Sequence, residues 1–182
     1  MFAIFTACRT GEVLGACWKE VDMDAGIWTV PAERMKARRE HRVSLSQPAL
    51  KLLKCLQAMS TGPNSYLFPV AKQDKPLLQM VMLMLLRRMN TGPEKLPHRK
   101  PFRWRDGQTG LPITTHGFRS TFRDWAGETT GHPRDVVEAA LAHVIAGKTE
   151  AAYARGDLFA KRALLMEDRA AYCMHFKEGV ER

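Results

Sequence analysis

Arg9, Lys36, His116, Arg119, His143 and Tyr153 are, in chain order, six side chains of types that together suit the chemistry of a phosphodiester. Guanidinium groups present planar, permanently charged donor forks that match two anionic oxygens at once. A phenol has a reference pKa near 10, so it attacks at neutral pH only beside positive charge or a base, and imidazole is the usual base. An ammonium on a flexible loop can supply the proton that an alkoxide leaving group needs. Taken singly, each residue is weak. A His-x-x-Arg pair such as His116 and Arg119 arises readily by chance in an Arg-rich chain, its plain reading is a surface helix pair, and a lone Tyr is more often core than nucleophile.

The elements that would position them come from periodicity. Phe2, Phe5, Val13, Leu14 and Trp18 can share one stripe, which predicts a helix over residues 1 to about 18, weakened at Thr10-Gly11, with Arg9 and Glu12 neighbours on its surface. VDMDAGIWTVPA alternates around Asp24-Ala25-Gly26 and HRVSLS adds a second β-type run, so residues 21 to 46 read as a small antiparallel sheet with RMKARRE as the hairpin loop. Leu50, Leu53 and Leu56 mark a helix from Gln47 to Met59. Leu77 to Met89 is apolar nearly all round, which predicts a deeply buried helix. YLFP between them reads as a short extended piece.

Asn90 to Pro112 holds four Pro, three Gly and many Lys and Arg, and reads as a long surface loop. Thr114 or Thr115 can cap a helix running from His116 towards Thr130, and His132-Pro133 opens another through Val136, Val137 and Leu141. A further helix should carry Tyr153. The amphipathic stretch from Leu158 to about Lys177 either packs on its own domain or docks on a neighbour. The expected fold class is α+β, mainly helical, with the small sheet in the N-terminal third.

Composition sets the partner. With 28 Lys+Arg against 19 Asp+Glu, a formal charge of +9 and a sequence pI near 9.7, the chain carries the electrostatic footprint of a nucleic-acid binder, although ribosomal and membrane-surface proteins share it. Its 182 residues, 45% apolar, suit one domain with one real core. Cys8, Cys17, Cys55 and Cys173 form no ligand-spaced pair, so neither a zinc site nor a disulfide framework is expected. The start resembles neither a signal peptide nor a membrane span, and the expected location is the cytoplasm.

Order and surroundings raise the six residues above chance. TACRTGEVLGACW, RMKARREHRVSLS, THGFRSTF and LAHVIAGKTEAAYAR follow one another with sheet and helix signals where they belong. These stretches resemble the successive boxes of tyrosine recombinases, in particular the integrases of satellite phages and genomic islands, over nearly the whole chain. The resemblance implies the catalytic-domain fold of that family and site-specific recombination of DNA through a 3′-phosphotyrosine. By it Arg9 is the first catalytic arginine with Glu12 its supporting acid, Lys36 the hairpin lysine, and His116 and Arg119 the His-x-x-Arg pair. His143 is the later histidine and Tyr153 the nucleophile ten residues beyond it.

The roles follow from the chemistry: Arg9 and Arg119 to hold the phosphorane-like state, His116 to receive the phenol proton, His143 to donate to a nonbridging oxygen, and Lys36 to protonate the 5′-oxygen. Arg34, Arg38 and Arg39 compete with Lys36 for that last role. Arg38, Arg39, His41, Arg99, Lys100, Arg103 and Arg105 are candidates for contacts along the DNA backbone, with plain solvated loops as the other reading. Neither metal nor nucleotide cofactor is expected. The partners implied are double-stranded DNA and other integrase subunits, four on the DNA, with no membrane.

The chain departs from the family pattern in three places. Ala142 stands where Gly usually precedes the histidine, a change expected to affect packing only. Gly117 replaces the usual acidic residue after His116 and leaves that helix start less well tied. Family members also carry a DNA-clamping domain and a first catalytic-domain helix before the Arg box, whereas eight residues precede Arg9 here. Residues 1–182 are therefore expected to be the catalytic domain of a truncated or excised product. Two other outputs stay open: a non-catalytic DNA-binding remnant, and relaxation of supercoils by a type IB topoisomerase, which uses a similar residue set.

Overall fold

A computed structural model describes residues 1–70, 75–91, 104–107, 109–143 and 156–178. Tyr153, its expected helix, Arg99, Lys100 and Arg103 lie outside the described residues. The expected first helix is two: α1 (Phe2–Thr6) and α2 (Thr10–Leu14). Ala7 ends α1 in the left-handed conformation at φ 49, and Arg9 is extended. The break falls before Thr10-Gly11, which sit inside α2. Phe2, Phe5, Val13 and Leu14 are still buried, but Glu12, expected on the surface, is buried as well.

The sheet runs β1 (Val21–Asp22), β2 (Ile27–Val30) and β3 (His41–Ser44), all antiparallel in that order. Asp22 Oδ1 accepts the main-chain N–H groups of Asp24 and Ala25 at 3.0 and 2.8 Å, and Gly26 follows at φ 66. That is the turn read from Asp24-Ala25-Gly26, with glycine where positive φ is needed. The register pairs Trp28 with Val43 and Val30 with His41, so these four face the core together while Thr29 and Arg42 face away. The hairpin RMKARRE joins β2 to β3.

Five helices follow the sheet among the described residues: α3 (Gln47–Gln57), α4 (Met80–Thr91), α5 (Gly117–Thr129), α6 (Arg134–Ala140) and α7 (Phe159–Glu178). One cluster joins Phe2, Phe5, Val13, Trp28, Val30, Val43, Leu53 and Ala170. The second joins Ala7, Phe122, Trp125, Val136, Leu141, Leu165 and Met166. Leu165, Met166 and Ala170 all come from α7, so that helix binds the two clusters together. It packs on its own domain, against α1, α3, α6 and β3.

One expectation fails here. α4 is not deeply buried: Met80, Met84, Leu85 and Met89 are each more than half exposed. A run apolar on every side carries no periodicity to say which face meets the core, and only the side with Met82 does. The described end of the loop after α4, residues 104–107 and 109–112, is a surface loop as expected, and it is held by local bonds. Arg105 bridges Pro112, Asp106 Oδ1 caps the N–H of Thr109 at 2.7 Å, and the buried Asn90 side chain accepts the Trp104 N–H at 2.5 Å and donates to the Trp104 carbonyl at 2.9 Å. Among the described residues no helix is long and apolar enough to cross a membrane.

Candidate active site

The left-handed turn at Ala7 turns its carbonyl towards α5. There the buried Arg119 guanidinium donates through Nη1 to Ala7 O and through Nη2 to Leu141 O, the latter at 2.7 Å. Nη2 also lies 3.3 Å from Nε2 of His143. Three segments far apart in sequence thus meet on one side chain, which no point charge could span.

Arg9 precedes α2 as its N-cap residue. Glu12 Oε2 accepts the Arg9 N–H and Oε1 the Arg9 Nη1, each at 2.8 Å. The sequence Arg-x-x-Glu thereby builds a reaching-back cap that also orients the guanidinium. Arg9, about one-third exposed, lines an open cleft of about 550 Å³ with Lys36, Ala37, Glu138, Ala142 and His143. Lys36 comes from the exposed hairpin and shares a second hollow with Arg9 and Arg38.

Electrostatics give the cleft its sign. Burial lowers the Arg119 pKa below its ordinary value, and the nearby Arg9 charge lowers it further. Two guanidiniums held close repel each other, and an anion between them would relieve that repulsion. Glu138 lies beside His143, with Oε2 2.5 Å from Nδ1 and Oε1 2.8 Å from Arg123 Nε. Burial pushes this carboxyl up, but the hydrogen bond to His143 and the charge of Arg123 outweigh it and hold the pKa below the usual range.

His143 reaches this place through the end of α6. Ala142 is left-handed at φ 50, its N–H bonds to Ala139 O at 3.1 Å, and the His143 N–H bonds to Glu138 O at 3.0 Å. That pair of bonds is a Schellman closure, for which glycine is the usual left-handed residue. The Ala142 departure therefore bears on backbone conformation, not on packing alone as expected.

Of the six candidates, the fold brings Arg9, Lys36, Arg119 and His143 together. His116 is the N-cap residue of α5; its ring is exposed, and its carbonyl accepts the Arg119 N–H at 3.1 Å. Gly117 N–H donates to Thr114 Oγ1 at 3.2 Å, so Thr114 ties this helix start. Arg34 is committed elsewhere, to Glu20 at 2.7 Å and to the Glu12 carbonyl at 3.2 Å, which removes it as a rival of Lys36.

Arg38 and Arg39 are exposed on the hairpin. Arg105 is exposed and donates to Gly110 O at 2.7 Å. His41 corrects the expectation of a DNA contact: its side chain faces the core from β3, and burial, followed by the charge of Arg162, lowers its pKa to about 4. A neutral, covered imidazole makes no phosphate contact.

Glu138, Arg123 and the carbonyls of Ala7 and Leu141 were not legible as site residues. For Glu138 the only signal was an acid five residues before a histidine at a helix end. A further cluster lies beyond them: Asp157 Oδ2 takes Arg162 Nη2 at 3.0 Å and Arg42 Nη1 at 3.3 Å, while Arg162 Nη1 donates to Arg42 O at 2.7 Å. It ties β3, which follows the Lys36 hairpin, to the start of α7.

The chain matches the model of the phage integrase family over residues 1–157. It is 33% identical over 168 residues to the prophage integrase IntA of Escherichia coli (strain K12), covering 92% of this chain and 36% of that protein. It is 28% identical over 165 residues to the integrase of Shigella phage Sf6, covering 90% of this chain and 38% of that protein. The chain thus spans little more than a third of the length of these curated relatives. In fold it is similar to the crystal structure of XerA recombinase, with a TM-score of 0.58 and 20% identity over 95% of this chain and 55% of that one.

Proposed function

The chain belongs to the phage integrase family, and on that premise we propose that it is the catalytic domain of a tyrosine recombinase that integrates or excises a prophage or genomic island. The observation that carries this reading is that Arg9, Lys36 and His143 line one cleft, with the buried Arg119 guanidinium directly behind it, its Nη2 3.3 Å from His143 Nε2 and the charge of Arg9 close enough to act on it. That is a donor set for a phosphate gaining negative charge in the transition state.

In the proposed step the Tyr153 phenol oxygen attacks the phosphorus and its proton passes to His116. Arg9, Arg119 and His143 hold the nonbridging oxygens. The bond to the 5′-oxygen breaks, and Lys36 protonates that oxygen as it leaves. The strand is now held as a 3′-phosphotyrosine, and attack by another 5′-hydroxyl reverses each transfer to rejoin it. Bond energy is conserved in the ester, so the scheme calls on neither nucleotide nor metal.

Duplex DNA is the proposed substrate. Arg38, Arg39 and Arg105, with Arg99, Lys100 and Arg103, would run along its backbone, and four subunits would assemble on it in the cytoplasm. The test is a DNA strand nicked so that the cleaved end diffuses away and traps the covalent adduct. The expected result is an adduct mapped to Tyr153 and absent from Tyr153→Phe, with binding retained. An adduct persisting in Tyr153→Phe, or mapped to Tyr66 or Tyr172, would overturn the assignment. DNA binding without any adduct would leave a binding module, and plasmid relaxation without strand exchange would indicate a topoisomerase.

A further inference from the structure

We propose that Glu138 is the positioning residue that sets the proton arrangement of His143, an inference that rests on the reading of His143 as a phosphate-binding group. The donor and acceptor sequence around the ring leaves one arrangement. The short contact decides it: Glu138 Oε2, 2.5 Å from Nδ1, is a carboxylate oxygen that only accepts, so Nδ1 carries the ring proton and donates. Nε2 is left to accept from Arg119 Nη2 across a longer 3.3 Å, from a group whose shorter bond goes to the Leu141 carbonyl at 2.7 Å. Protonating Nε2 in the free protein would place an imidazolium N–H against the Arg119 charge.

A phosphate oxygen entering the cleft reverses that balance. It draws the Arg119 Nη2 donor to itself and offers Nε2 an acceptor, so Nε2 gains by taking a proton from solvent. Glu138 supports the resulting positive charge through Nδ1. The charged groups facing the ring are then Glu138 from its own helix, Arg119 from α5, and Arg9 and Lys36 across the cleft; Arg123 meets it only through Glu138. Three of these four neighbours are cations, which leaves Glu138 as the one group able to favour the imidazolium before the phosphate arrives.

The geometry also fixes the ring in place. The His143 N–H bonds to the carbonyl of Glu138 while its imidazole bonds to the carboxylate of the same residue. Glu138 Oε1 pairs with Arg123 Nε at 2.8 Å, which holds the carboxylate from its other side. Carboxylates that hold the far nitrogen of a working histidine set its tautomer and are worth about 10- to 100-fold where they have been removed from comparable metal-site histidines.

The experiment compares wild-type, Glu138→Gln and Glu138→Ala in the full chain, by 15N NMR of the His143 imidazole and by cleavage of the trapping substrate at saturating DNA. Gln can still accept the Nδ1 proton but carries no charge. The expected free-chain spectra show the Nδ1–H tautomer in wild type and Glu138→Gln and its loss in Glu138→Ala. Cleavage should fall about 10-fold in Glu138→Gln and about 100-fold in Glu138→Ala, with DNA affinity within about twofold.

An unchanged tautomer in Glu138→Ala overturns the proposal, and that readout does not require cleavage. So does equal loss of rate in the two variants. His143→Ala separates the two levels: wild-type cleavage there would remove the reading of His143 itself, whereas impaired His143→Ala beside unimpaired Glu138→Ala would remove only the role of Glu138.

Discussion

Both carboxylate oxygens of Glu12 are engaged by Arg9, Oε2 with its main-chain N–H and Oε1 with its guanidinium, at 2.8 Å each. The same residue thus closes the N-terminus of α2 and aims the side chain that lines the cleft. Glu12 is 4% exposed, so nothing in solvent replaces it. Glu12→Gln would keep one acceptor and turn an amide donor towards the other partner. The expected cost is about 1–3 kcal/mol, read as a lower denaturant midpoint, together with slower cleavage because Arg9 loses its orientation. Unchanged stability would show that the cap contributes nothing.

Ala142→Gly should stabilise the chain. At φ 50 an alanine pays about 1–2 kcal/mol of left-handed strain. Glycine removes that and returns about 0.4–1 kcal/mol through the greater freedom of the unfolded chain. The balance is a gain of about 0.5–1 kcal/mol, visible in urea unfolding. A lower midpoint would mean that the Ala142 methyl, which packs on the first core cluster, outweighs the strain.

Burial lowers His41 to about 4, with the Arg162 charge adding to it. Protonation is therefore harder in the fold than in the unfolded chain, where imidazole titrates near 6.5. Stability is complete above that value and drains away as pH falls towards 4, by on the order of 3 kcal/mol in all. His41→Gln should be less stable than wild type at pH 7.5 and lose less on acidification to pH 4.5. Parallel loss in both proteins, measured by urea midpoints, would assign the acid sensitivity to other groups.

The role of Lys36 separates from binding through the leaving group. An alcohol lies near the water value of about 15.7 and a thiol near about 8.5, so sulfur at the 5′-bridging position leaves without a proton donor. Lys36→Ala should be impaired by about 100-fold or more on ordinary DNA and largely recover on the sulfur-substituted strand. Arg119→Ala should stay impaired on both, since it stabilises the phosphorane. Equal impairment of Lys36→Ala on the two substrates would move the acid to Arg38 or Arg39 and leave Lys36 a DNA contact.

What residue order determined by itself was local. Asp24-Ala25-Gly26 is a turn because Asp22 caps it and glycine accepts positive φ, and α3, α5 and α6 lie where periodicity, Thr114 and His132-Pro133 put them. The ordered boxes carried the family and the candidate residues, since types and spacing need no coordinates. What only the tertiary structure decided was every relationship between segments. No local pattern marks Ala7 as the left-handed break whose carbonyl receives Arg119, because alanine ordinarily favours the helix it interrupts. Alternation in HRVSLS sets His41 on the face of Val43 and Leu45, but the basic residues before it read as a DNA-contacting hairpin, so His41 read as a surface base and is a buried one. The apolar run of α4 was silent on its exposed side. Glu138 became part of the site only when the end of α6 folded His143 back onto it. Burial, register and long-range hydrogen bonds depend on what lies opposite in space, and a sequence window contains only what lies beside it along the chain.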